Sequence, residues 1–306
     1  MLGTIVLSVV LPTVAAALLL ALGHAVWSRS APVARGRWSL ALAGTCGLWL
    51  AYVTVKSAPT FPPVDANEWA LWLALVAALY GVLEAAAPLP TAVRWVARVL
   101  VSAAVPWLIL RPLREHSFTP SESNLWLASA TGVIVVVWSA LEAAVDRLQG
   151  HAAALALTVL VGATAAALGL SGTALLAQTT GGLAAALGVT VALGWLRPGL
   201  SLARSAVPAV AVSLGSVWVA GHHYASLPLV SIGCFATLAL ALFAVRNLAS
   251  SSATFWRAAL VAAAVSTLFA GAGAGWAAKA SAEKNSAAAA EGSPGANEEY
   301  DPDYGY

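Results

Sequence analysis

Charge is what this 306-residue chain lacks most. Only 9% of its residues are Asp, Glu, Lys or Arg, against about 25% in a soluble domain. A water-soluble fold of this length needs far more, because its surface must be solvated. Cysteine is nearly missing as well. Cys46 and Cys234 lie in apolar runs, nearly two hundred residues apart, without metal-ligand spacing, so they read as reduced packing residues. No basic residue precedes the first apolar run. Arg29, Arg35 and Arg37 follow it instead, the reverse of a cleaved signal peptide, so a retained first helix is expected. Basic residues nowhere cluster into a face, which argues against nucleic acid as a partner.

What fills the chain is apolar sequence, 60% of all residues. Met1 to Ser28, Trp38 to Val55, Ser123 to Leu141 and Ala258 to Ala278 carry no charge, and each approaches the length of one bilayer crossing. Leu148 to Leu196 and Ser205 to Val245 run 49 and 41 residues without charge, enough for two crossings each. The expected fold is an all-α, polytopic transmembrane helical bundle of about ten membrane-spanning helices. They fall near 4–26, 38–56, 68–86, 93–111, 124–144, 151–170, 174–196, 206–221, 227–246 and 256–277. Residues 1–278 form the integral membrane domain, with the lipid bilayer as its first partner.

Alternating the loops places ten arginines on one side and five basic residues on the other. The richer side should be cytoplasmic, which puts both termini outside a cytoplasmic membrane. Tryptophan agrees, since its ring prefers the headgroup level and only Trp49 falls well inside a proposed helix. Ser57 to Ala66 (SAPTFPPVDA) reads as a proline-stiffened loop. Residues 279–306 lack apolar periodicity and hold three tyrosines among six acids. This tail is expected to be disordered and acidic, with a basic partner as an alternative to plain solvation.

Arg98 is the sharpest pointer to function. Twelve uncharged residues separate it from Arg111, roughly 18 Å of helix against about 30 Å of hydrocarbon. In one arrangement Arg98 and Arg111 snorkel toward opposite faces. In the other, Arg98 turns inward onto Glu84 or Glu142, because an unpaired charge in the bilayer costs several kcal/mol. Both acids sit in the same pattern, aromatic-x-x-Leu-Glu-Ala-Ala, at Tyr80 and again at Trp138.

A second pointer is the polar patch Gln178, Thr179, Thr180, Gly181, Gly182. It reads either as an interruption that exposes helix ends to a midplane substrate or as a hairpin turn. Third, Gly169-Leu-Ser-Gly172 with His222 and His223 resembles the nucleophile motif of rhomboid intramembrane proteases. That resemblance would make Ser171 a nucleophile and a later histidine its base. The family's Trp-Arg loop is absent, and Tyr-Ala-Ser-Leu-Pro replaces the glycines expected after the histidine. Haem or metal at His222-His223 is disfavoured, because adjacent helical residues point about 100° apart, and no cofactor is expected. Gly271 and Gly275 form a GxxxG-type surface for close helix packing, within the chain or with a membrane-protein partner.

The leading expectation is a non-enzymatic membrane protein that moves a small solute, with Glu84, Arg98 and Glu142 as a polar cluster and Gln178, Thr179 and Thr180 lining a cavity. The alternatives are a non-transporting membrane scaffold or accessory subunit and, more remotely, a rhomboid-like serine protease.

Overall fold

The computed structural model describes residues 2–27, 38–87, 89–146, 148, 150–196, 205–245, 268, 271–283 and 286–287. Every regular element among them is a helix. In chain order these are α1 (Leu2–Trp27), α2 (Trp38–Val55), α3 (Ala66–Ala86), α4 (Thr91–Ile109), α5 (Arg111–His116), α6 (Pro120–Val145), α7 (Gly150–Leu170), α8 (Ala174–Leu196), α9 (Ala206–Ala225) and α10 (Leu229–Val245). Nine of the ten expected segments coincide with one of them to within a few residues. The tenth, 256–277, lies largely outside the described residues. Helical backbone does cover 271–283, so it continues past the expected start of the tail at 279, most of which also lies outside the described residues.

Among the described residues, five helices are long and apolar enough to cross a membrane: α3, α4, α6, α7 and α8. Leu7–Gly23, Ser39–Val55 and Leu229–Ala244 are apolar but shorter. The expected count of about ten crossings is not reached. α9 is also outside the five, for it ends in His222 and His223, yet it is the centre of the bundle. Every residue from Ala206 to Gly221 is buried, enclosed mainly by α2, α3, α4 and α6. An enclosed helix must be small or apolar all round, which the run AVPAVAVSLGSVWVAG satisfies. α4 sits further out. It exposes Val96, Leu100 and Trp107 and buries Arg98, Ser102, Val105 and Ile109, a one-sided pattern at helical spacing.

Side-chain contacts fix which helix ends lie together. The Tyr224 hydroxyl donates to the Ile109 carbonyl at 2.9 Å, joining the last turns of α9 and α4. Trp126, early in α6, packs on His222 and His223. The other end gathers the last turn of α3, the first turns of α4 and the last turn of α6. Trp49, the tryptophan that sequence places deepest, donates its indole N–H to the Leu71 carbonyl at 3.1 Å. That bond satisfies the polar tip which otherwise drives indoles to the interface.

The loop between α2 and α3 is tied down by acids. Thr60 Oγ1 and the Val64 N–H both donate to Glu68, and Asp65 caps α3 by accepting from the Glu68 N–H at 2.8 Å. Lys56 Nζ pairs with Asp65 at 2.5 Å. Partial burial alone would push the Asp65 carboxyl upward, but Lys56 and the cap hydrogen bond outweigh it and hold it below the usual carboxylate range. A depressed folded value means stabilisation that is present above the unfolded value, about 3.9, and lost as pH falls below it. Asp65→Ala is therefore expected to cost about 1 kcal/mol near neutrality, read by thermal unfolding in detergent. The gap between wild type and variant should close below about pH 4.

Candidate functional site

Four ionisable side chains from three helices meet where α3 ends, α4 begins and α6 ends. Arg94 donates from Nε to Glu84 at 2.5 Å and from a terminal nitrogen to Glu142. One turn later, Arg98 donates to the other oxygen of Glu142 and to Ser139 Oγ at 2.8 Å. Arg98 and Glu142 keep only 9% and 8% of their side-chain surface exposed. The Arg98 guanidinium also lies 4.6 Å from the Trp95 ring centre and 5.5 Å from that of Trp138, so its faces meet aromatic quadrupoles. Two acids and two bases leave the quartet neutral, which is what lets charge persist in a poorly solvated place.

Arg98 thus turns inward, and snorkelling does not describe it. The reason is supply: Glu142 presents a full carboxylate within reach, and a paired guanidinium inside costs less than an exposed one dragged to the interface. Arg111 does reach outward, to Glu115 at 2.8 Å. The two copies of the repeated pattern face each other. Tyr80 and Trp138 meet edge to face at 6.0 Å, and their glutamates share Arg94. Arg94 itself carried no role in the sequence reading, which assigned it to the interface. The signal was its i, i+4 relation to Arg98, which places both on one face.

The α8 patch is neither a helix break nor a hairpin turn. α8 continues from Ala174 to Leu196, and the chain turns earlier, at Ser171–Thr173. Thr179 returns its hydroxyl to the Leu175 and Leu176 carbonyls, the local bond that lets threonine sit in an apolar helix. Of the three candidate residues only Thr179 lines a cavity, with Tyr52, Asn67 and Ser213 among its neighbours. That cavity measures about 10 Å³, room for a single water. Gln178 Oε1 and Thr180 Oγ1 are buried without a protein hydrogen-bond partner. The patch and the quartet lie on different helices and share no cavity.

The serine and histidines of the protease-like motif are occupied elsewhere. Ser171 Oγ donates to the Ala167 carbonyl at 2.8 Å, and His222 Nδ1 lies 2.9 Å from the Leu227 carbonyl. His223 packs between Phe118 and Trp126. No hydrogen bond joins Ser171 to either imidazole. In the helical stretch 271–283 the packed glycine is Gly273, where an added Cβ would sit 2.5 Å from the Phe235 ring and whose carbonyl accepts from Ser231. Gly271 and Gly275 have nothing within 4 Å of that position, so the GxxxG face is turned away from the bundle.

Compared with protein-family models, curated proteins and solved structures, the chain matches none of them.

Proposed function

We propose that this protein is a small-solute carrier of the cytoplasmic membrane, and that the Arg94–Arg98–Glu84–Glu142 quartet closes one end of its α3–α4–α6 group. The quartet itself is the observation that carries this reading. In a chain so poor in charge, four ionised groups were retained and gathered from three helices. Such a network costs more than an apolar contact would and is easily broken in steps, as a gate requires. Its neighbours support the idea. Ser102 continues the Arg94–Arg98 face by one more turn, and its hydroxyl is buried without a protein partner. Pro106, four residues on, has no N–H to give the Ser102 carbonyl, so polar groups line α4 beyond the quartet. With the quartet on the arginine-rich side, the gate is cytoplasmic and the N-terminus outside.

The second reading, a scaffold, draws on the outward Gly271/Gly275 face, which suits a membrane-protein partner. One experiment separates the two. In a chain with Cys46 and Cys234 replaced by alanine, Ser102→Cys is exposed to a membrane-impermeant maleimide in sealed vesicles of both orientations. Labelling from the quartet side should rise roughly tenfold when Glu84→Gln and Arg94→Gln are added together, because a charge-assisted hydrogen bond worth about 1.5–3 kcal/mol no longer holds the end shut. Unchanged labelling in that charge-balanced variant would leave a rigid scaffold and remove the gate.

A further inference from the structure

The other end of α4 holds a second cluster, and the geometry points to a binding site there for the phosphate of an anionic phospholipid. α4 stops at Ile109, α5 turns the chain, and α6 starts at Pro120. Between them lies an open pocket of about 520 Å³, lined by Trp107, Arg111, Arg114, Phe118, Ser123 and Asn124 among others. That volume falls in the range of small-ligand sites.

Arg114 makes the pocket a receptor. Its guanidinium lies 3.8 Å from the Trp107 ring centre. Nε donates to Ser123 Oγ at 3.2 Å, and a terminal nitrogen donates to the Trp107 carbonyl at 3.3 Å. The planar group is thus held on an aromatic face by two neutral acceptors. Among the described residues, no carboxylate comes within ion-pair distance of it. Glu115, the acid lining the pocket, is engaged by Arg111 at 2.8 Å. Two guanidinium groups against one carboxylate leave the pocket a positive charge, and a fork of donors matches phosphate oxygens.

The surroundings select a lipid over a free ion. Trp107 is 54% exposed and Leu125, one turn into α6, 68% exposed, so the pocket wall continues into the apolar outer surface of two helices long enough to cross a membrane. A ligand with a phosphate head and acyl tails meets both the cation and that surface, and the helix-end tryptophans mark the headgroup level. This inference does not rest on transport; a scaffold would hold the same lipid.

The test is native mass spectrometry of the full chain in detergent, titrated with phosphatidylglycerol, with phosphatidylcholine of the same chains, and with inorganic phosphate. Phosphatidylglycerol is expected to bind in preference to phosphatidylcholine. Arg114→Gln should weaken it about tenfold, the worth of a charge-assisted hydrogen bond, whereas Arg111→Gln, whose charge is already offset by Glu115, should change it about twofold or less. Should Arg114→Gln not fold, Arg114→Lys carries the test: it keeps the charge, loses the fork, and is expected to bind several-fold more weakly. Equal affinity of the Arg114 variant and wild type, equal binding of the two lipids, or displacement of the lipid by inorganic phosphate would each overturn the assignment.

Discussion

Glu142→Gln is expected to destabilise the protein by roughly 3–5 kcal/mol, the cost of removing one partner from a buried ion network. Glu142 stands out because it serves two cations: Arg94 on one oxygen and Arg98 on the other. The amide that replaces it carries no charge, and two guanidinium groups would be left facing one glutamate. Arg98 would retain only Ser139 and the two tryptophan rings. Glu84→Gln should cost less, about 1–3 kcal/mol, because Arg94 keeps Glu142. Combining Glu142→Gln with Arg98→Gln should recover part of the loss, since a neutral pair is easier to bury than an orphaned cation. Denaturant unfolding in mixed micelles reads all four proteins. A Glu142→Gln variant within about 0.5 kcal/mol of wild type would mean that water already solvates the quartet, since exposed pairs contribute little. The gate would then lose its physical basis.

The quartet was legible because charge is scarce. Glu84, Arg98 and Glu142 were singled out on the rule that a buried charge requires an opposite one, and they do share one network. Sequence could not choose between Glu84 and Glu142 as the partner of Arg98. That depends on how far α6 slides along α4, and no local propensity encodes such a shift. Arg94 was set aside as interfacial because helix-end arginines usually are. The helices were legible from apolar run length, including the hairpins hidden in the two long uncharged stretches. α5 was not: Arg111 was taken as the last residue of the preceding helix, while the structure ends that helix at Ile109 and gives Pro112 to a new one. The pocket beside Arg114 was invisible for the same reason, since it exists only through that extra turn.

Glycines show the limit most sharply. A glycine in an apolar helix announces a close approach or nothing at all, and composition cannot say which. Gly271 and Gly275 looked like the packing face, yet Gly273 between them makes the contact. Helical spacing tells which glycines share a face, but not which face meets a neighbour.

The α8 patch turns that ambiguity into the second large effect. Gly181 and Gly182 are adjacent, but only Gly182 meets α2. A Cβ on Gly182 would lie 2.4 Å from the Ala51 Cβ and 2.6 Å from the Gly47 carbonyl oxygen, and a Cβ on Gly47 would lie 2.7 Å from the Gly182 carbonyl. The two backbones cross with no room for a side chain on either, as in small-residue crossings generally. Gly182→Ala should therefore cost about 1–3 kcal/mol through overpacking, because the atoms in the way are backbone and a short Cβ that cannot rotate aside. Gly181→Ala adds a Cβ into open space and should be neutral or stabilising by up to about 1 kcal/mol, the helix-propensity gain. Unfolding midpoints of the two variants, measured side by side in the same micelles, check both numbers. Opposite responses from neighbouring glycines identify Gln178–Gly182 as the contact that locks α8 against α2, which accounts for glycine in the patch without a solute. Were Gly182→Ala tolerated as easily as Gly181→Ala, the crossing would be loose enough to part, and Thr179 and Thr180 would return as candidates for a solute path.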